Sequence, residues 1–434
     1  MNTEDRLREA ARARSGIVRP PRPLVLPDHL SDRADELGRR REPRPGRDRW
    51  VTWLIPVAAA VAVIVVAAIL VAVRQLSAPG SAPAPVNSTA SIPRYYVALA
   101  YTGSTSAQMK AVVGDDRTGR TVAVLTPTAS QNFYGVTGAA DDRTFVVMNY
   151  TAATNQTTWY LLRITPGATH PAQLTKLPLN PLAAHVNGLA LSPDSRELAV
   201  MWRTGTTATN GAEHLSVYAL SSGAVLRTWS TPDLSGINGI GGANGRDLSW
   251  VNGDRSVTFR WAVVTGGAQP SSTNTVRRID VTAPGGDLLA DSRVAVQLPS
   301  TAEPAKTKFS ALCAASVTTP DGNLVCGTTS FTGVSFEEVC SSVPPSFVTY
   351  SGTTGKQLKV LYQWHGQCLE AEARPVWTDA TGSHVIAFLL LSEKGVKTSL
   401  TDKFGLVTDG HFTALPKLVT GITGADLDQG GLAF

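Results

Sequence analysis

Between residues 95 and 434 one short unit of sequence keeps returning, and no other feature limits the fold as tightly. Its clearest copy is Val186-Asn187-Gly188-Leu189-Ala190-Leu191-Ser192-Pro193-Asp194-Ser195-Arg196-Glu197-Leu198-Ala199-Val200, an apolar run, a Pro-Asp-Ser turn and a second apolar run. That order predicts a β-hairpin. Weaker copies run from Val136–Ala140 into Asp142–Val147, from Asp247–Trp250 into Asp254–Phe259, through Val317–Cys326, and from Pro375–Thr378 into Gly382–Phe388. They recur every 50–65 residues or so. A second strand, Gly-turn and strand follows in the same phase, at Asp116–Val122, Leu220–Leu226 and Gly352–Leu358. Each unit therefore holds four short strands, the content of one propeller blade, and such units bury their faces only against one another.

The two ends of this region complete each other. Ile422–Phe434 matches the first half of the unit, and the sequence from Tyr95 onward matches only the later three strands. A blade shared between the ends closes the ring and leaves no free sheet edge. Counting units predicts an all-β, six-bladed β-propeller over 95–434, with blades at 95–127 (completed by the C-terminal strand 420–434), 132–180, 185–232, 245–299, 309–365 and 370–417. Seven blades is the alternative, should the long fourth or fifth unit hold extra strands. Three Gly/Ser/Thr/Asn-rich stretches, Thr204–Gly211, Ser235–Gly245 and Gly266–Thr275, read as loop insertions of the kind that carry binding on a rigid scaffold.

The Pro193-Asp194-Ser195 and Pro320-Asp321-Gly322 turns, followed by strands such as Leu198-Ala199, resemble those of the WD-repeat and TolB-like propeller families over about 340 residues. The Gly-His and Trp-Asp signatures of true WD repeats are missing. The resemblance implies the fold and carries no activity with it.

Ahead of the repeats lies a different kind of chain. Trp50–Val73 is a run of 24 residues without a charge, between Arg49 and Arg74. As a helix it would span about 36 Å, enough to cross a bilayer core of roughly 30 Å with some tilt. Trp50 and Trp53 stand at one end, where indoles favour the interface. The net charge of +5 is not spread evenly: residues 1–49 hold 13 Arg and 9 acids, and the remainder 26 basic and 25 acidic residues. The basic excess therefore predicts orientation in a membrane, with 1–49 as a mostly disordered cytoplasmic tail, 50–73 as a transmembrane helix and 95–434 outside the plasma membrane. It gives no support to nucleic-acid binding. A cleaved signal peptide is the competing reading, disfavoured by the length of the run and of the leader before it. Residues 74–94, rich in Ala, Pro and Ser, read as an extended linker. The Asp5-Arg6-Leu7-Arg8 start, the Pro/Arg stretch and the single span resemble membrane-anchored proteins of high-GC actinobacteria, some of them anti-sigma regulators, over about the first 75 residues. Residues 1–49 read as a tail attracted to anionic lipid at the inner leaflet of the bilayer, with a specific cytoplasmic partner as the alternative; no zinc-type His/Cys motif is present.

All four cysteines fall in or just after the fifth unit: Cys313, Cys326, Cys340 and Cys368. On the outer side they are expected as structural disulfides, and of the three pairings Cys313–Cys326 and Cys340–Cys368 are preferred, the first because both lie in one hairpin. No His-x-x-x-His, Cys-x-x-Cys, Gly-x-Ser-x-Gly or phosphate-loop motif appears, so no catalytic, cofactor or metal site is expected. The acid pairs Asp115/Asp116, Asp141/Asp142 and Glu337/Glu338 mostly fall in turns, where carboxylates cap backbone N–H groups. Trp202, Trp229, Trp250, Trp261, Trp364 and Trp377 recur at blade positions, as expected of packing between blades. Three functions remain: a binding module for a protein or cell-envelope ligand, a transmembrane regulator with an outer sensor, and an envelope hydrolase or lyase. The last requires polar groups of shifted pKa clustered in the central channel.

Overall fold

The computed structural model describes residues 92–101, 108–128, 131–151, 153–204, 211–232, 239–265, 271–298, 308–332, 344–366, 370–392, 400–416, 418 and 431–434. All belong to one compact unit, residues 83–434. The tail, the 50–73 span with Arg49, Trp50, Trp53 and Arg74, and the linker as far as residue 91 lie outside the described residues.

Every regular element among the described residues is a strand. Blade 1 begins with β1 (Tyr95–Tyr101), β2 (Met109–Asp115) and β3 (Arg120–Leu125). Blade 2 is β4 (Asn132–Gly138), β5 (Thr144–Thr151), β6 (Gln156–Ile164) and β7 (Ala172–Lys176); blade 3 is β8 (His185–Leu191), β9 (Glu197–Arg203), β10 (Glu213–Ala219) and β11 (Val225–Ser230). Blade 4 is β12 (Gly239–Val251), β13 (Ser256–Thr265), β14 (Ser271–Asp280) and β15 (Arg293–Leu298). Blade 5 is β16 (Lys308–Thr318), β17 (Leu324–Thr332), β18 (Ser346–Tyr350) and β19 (Gln357–Gln363), and blade 6 is β20 (Glu370–Thr378), β21 (His384–Ser392), β22 (Leu400–Thr408) and β23 (His411–Ala414). The last strand, β24 (Leu432–Ala433), returns to pair Ala433 with Val97 and Leu432 with Ala98, and becomes the inner strand of blade 1. The result is a six-bladed propeller closed by its own C-terminal strand, as the repeat phase predicts.

In blades 1, 2, 3 and 6 the second strand is packed on both faces by neighbouring blades and reads as a continuous apolar run rather than an alternating one. Examples are Val97-Ala98-Leu99-Ala100, Phe145-Val146-Val147-Met148 and Leu198-Ala199-Val200-Met201, all buried. The apolar interior is divided accordingly into six clusters, one at each junction of two blades. Trp229, Trp250 and Trp261 fill the junction of blades 3 and 4, where the Trp250 indole donates to the Ala190 carbonyl across the seam at 2.8 Å. The tryptophans thus act in packing, as expected. The outer strands expose Val124, Val225, Leu226, Val294, Leu358 and Val360. Arg120, Arg227, Arg293 and Lys359 stand among them, charges that discourage edge-to-edge pairing.

Two details differ from the expected layout. Blade 4 starts at Gly239, and much of the stretches taken for loop insertions is strand: Gly239–Gly245 lies in β12 and Ser271–Thr275 in β14, with Gly239 opposite Thr265 and Thr265 opposite Ser271. Backbone ladder bonds carry this extension, and glycine shows no side-chain alternation by which sequence could reveal it. The extra length of unit four therefore goes into long strands and not into a seventh blade. Blades 5 and 6 also join directly, through Thr329 opposite Glu372 and Ser330 opposite Ala371. Close approach requires glycine nearby: a Cβ on Gly327 would lie 1.7 Å from the Ala373 carbonyl oxygen.

The end of the linker belongs to the propeller. Arg94 donates its backbone N–H to Asp142 Oδ2 at 2.7 Å and its Nε–H to Asp115 Oδ2 at 3.0 Å, and Ile92 packs on the closing cluster.

Candidate functional site

The inner strand of five blades carries a bulge or register break. Register slips between Phe133 and Gly135, Val186 and Gly188, Asn244 and Ser249, Ala311 and Ala315, and Pro375 and Trp377. A bulge re-aims the extra residue. In blades 2, 3 and 6 those residues are Tyr134, Asn187 and Val376, and all three line the central channel.

The channel encloses a cavity of about 490 Å³ walled by all six inner strands. It runs from Ala140 and Pro320 at the end carrying the first hairpin turns to Tyr134 and His185 at the other. Among the described lining residues there is no Asp, Glu, Lys or Arg side chain; the wall is glycine, aliphatic and aromatic residues with Thr137, His185, Asn187, Ser249, Ser316, Thr318 and Thr378.

Charges sit instead behind the wall, in pairs. Glu213 is fully buried and accepts from Arg203 Nε at 2.7 Å and from the Asn187 amide at 3.0 and 3.3 Å. Its backbone N–H donates to Thr231 Oγ1 at 3.0 Å. In blade 4, Asp247 lies 3.5 Å from Arg260, whose Nε donates to Asn274 Oδ1 at 2.7 Å. Burial pushes the Asp247 carboxyl up, against the opposing pull of Arg260 and Ser316. In blade 6, Arg374 Nη2 donates to Glu372 Oε2 at 2.7 Å, and its Nε lies 2.6 Å from Oε1 as an ion pair. A buried charge is tolerable when paired, and Glu213 is hydrogen-bonded as well. These residues escape sequence reasoning because each pair joins positions with no common spacing.

The turn carboxylates cap backbone, as expected. Asp141 accepts from the N–H groups of Arg143 and Thr144, Asp194 from Arg196, Asp321 from Asn323, and Asp379 from Ser383. Asp379 Oδ2 also lies 2.8 Å from His384 Nδ1; burial tends to raise this carboxyl, but the bonds from His384, Thr381 and Ser383 outweigh it and hold it below the ordinary value. Of the Asp115/Asp116 pair only Asp115 caps, taking the N–H groups of Arg117 and Thr118. Cys313 and Cys326 form a disulfide between β16 and β17, inside the cluster between blades 4 and 5. Cys340, Cys368, Glu337 and Glu338 lie outside the described residues. No three His, Cys, Asp or Glu among the described residues are grouped as a metal set.

No protein-family model matches the chain, and no curated protein matches it. Solved structures do. A protein of unknown function from Bacteroides caccae is 11% identical, with 79% of this chain and 98% of that one covered at a TM-score of 0.37. The putative TolB from Agrobacterium tumefaciens is also 11% identical, with 75% and 89% covered and a TM-score of 0.37. An oligogalacturonate lyase in complex with manganese is 12% identical, with 69% and 77% covered and a TM-score of 0.37. The chain is a six-bladed β-propeller with TolB-like structural neighbours. At these identities the likeness says nothing of what the propeller does.

Proposed function

We propose that this chain is a single-pass, membrane-anchored extracytoplasmic propeller that serves as a binding module for a protein or cell-envelope ligand. The observation that carries the binding role is the channel: a pre-formed cavity whose lining offers hydrogen bonds and apolar contact, while the carboxylates behind it are tied to arginines. Anchoring rests on the uncharged run 50–73 and the Arg-rich tail before it.

Two measurements test the reading. Protease added outside intact, wall-stripped cells is expected to digest the propeller and leave a tag ahead of residue 50 protected; the reverse pattern would overturn the orientation. Proximity labelling from the propeller in its native cell, beside a form lacking residues 1–49, is expected to recover envelope proteins with both. Recovery of cytoplasmic proteins alone, lost with the tail, would favour the transmembrane regulator.

A further inference from the structure

We propose that the central channel is a binding site for an uncharged sugar, gripped at Asn187; this rests on the reading of the propeller as a binding module. Asn187 is the single extra residue of the β8 bulge and lines the cavity. Its amide is not free to turn. Nδ2 donates to both carboxylate oxygens of Glu213, and Arg203, itself buried, locks that carboxylate in place. A carboxylate only accepts, so the amide nitrogen must face it and Oδ1 must face the other way. Oδ1 is neither buried nor bonded to any described residue, which leaves it as a fixed acceptor open to the channel. The buried Arg203–Glu213 pair is thus a support that aims one neutral side chain.

Donors complement it. Thr137 Oγ1 accepts from the Leu191 N–H at 3.2 Å and so keeps its own proton to give. The wall therefore presents fixed acceptor and donor groups together with the apolar surfaces of Tyr134, Leu189 and Val376. An anionic ligand such as a uronate would be stripped of water here with no Lys or Arg among the described lining residues to meet it, a heavy penalty. An uncharged molecule that carries donors, acceptors and apolar C–H faces is what the wall matches, and a sugar ring has all three. A volume of about 490 Å³ fits a short oligosaccharide. Blade 6 lies opposite blade 3 in a ring of six, so Val376, on the β20 bulge, stands on the opposite wall from Asn187, about two residues nearer the first hairpin turns.

The test uses the full chain in sugar-free detergent, on an array of neutral hexose and N-acetylhexosamine oligosaccharides, their uronate-containing counterparts and uncharged peptides. Neutral sugars are expected to bind and the uronates not. For the tightest neutral sugar, calorimetry should show Asn187→Ala weakening binding about tenfold, the scale of one lost hydrogen bond. Since that change also takes a donor from Glu213, Val376→Trp provides a second variant: it narrows the channel while leaving the Asn187, Glu213 and Arg203 bonds in place, and should abolish binding in a chain that still melts cooperatively, although Val376 also packs on the cluster between blades 6 and 1. Binding of uronates or peptides alone, no binding by any neutral sugar, or sugar binding indifferent to both substitutions would overturn the proposal. A sugar-negative array beside proximity labelling that still returns envelope proteins defeats the sugar alone. Labelling that returns only cytoplasmic proteins defeats the reading beneath it.

Discussion

Asp116 stands where other blades place an aliphatic side chain. In blades 2, 3 and 4 the N–H groups of Ile164, Leu220 and Val281 donate to the carbonyls of Arg143, Arg196 and Arg255, and their side chains enter the clusters between blades. In blade 1 the same bond runs from Asp116 to the Arg94 carbonyl at 2.7 Å, with a buried carboxyl whose Oδ1 meets no partner among the described residues. Burial, and then the neighbouring Asp115, push it from 3.8 to about 6. A carboxyl whose folded value is raised favours folding in its protonated form: that contribution is complete below pH 3.8 and is lost as pH rises through 6. Asp116→Leu should therefore raise the melting temperature at pH 7.5, with the gain shrinking towards pH 4; a lower melting temperature at pH 7.5 would count against it. Asp379 has the opposite sign. Its lowered carboxyl stabilises the fold above the ordinary carboxylate range and loses that effect as pH falls through its folded value. Asp379→Asn should accordingly destabilise at pH 7, and the deficit should vanish in strong acid, as thermal melts across pH will show. The acid pairs were legible as turn residues. Which member caps and which is buried was not, because adjacent carboxylates look alike until a neighbouring blade covers one of them.

Hairpins, as elements, were the most legible part of this chain, since turn chemistry is local. Pro193-Asp194-Ser195 folds as its residues demand: Ser192 Oγ accepts from the Arg196 and Glu197 N–H groups, and Ser195 takes a φ of 61°. The Cys313–Cys326 pairing follows from the same local logic, both cysteines lying in one hairpin. Closing a loop of 13 residues is worth about 3 kcal/mol by the chain-entropy estimate. Replacing both cysteines by Ala should cost about that much in urea denaturation, and a cost near zero would mean that the bridge does not constrain the unfolded chain. The inner-strand bulges were not legible. Tyr134, Asn187 and Val376 share no side-chain chemistry, so their common place on the channel wall appears only when strand register is known.

The whole molecule depends on a short closure. β24 is two residues long, yet its strand also accepts the Leu99 N–H at the Gly431 carbonyl, and Phe434 packs its ring 5.8 Å from Tyr96 and 6.3 Å from Phe404. Deleting residues 432–434 should expose the β1 edge, lower the melting temperature and promote self-association, read by light scattering after gel filtration; an unchanged monomer would show that the ring does not need its clasp. The propeller architecture and the split blade at the closure were determined by sequence alone, because repeated turns and apolar runs record local backbone preference and burial, and each unit can bury its faces only on a neighbour; six blades rather than seven was decided by the register of the long strands of unit four. The neutral channel, the Arg203–Glu213 support behind Asn187 and the solitary Asp116 were decided only by tertiary structure. They arise where residues distant in sequence are brought together by strand register and by ring closure, and no spacing along the chain encodes that meeting.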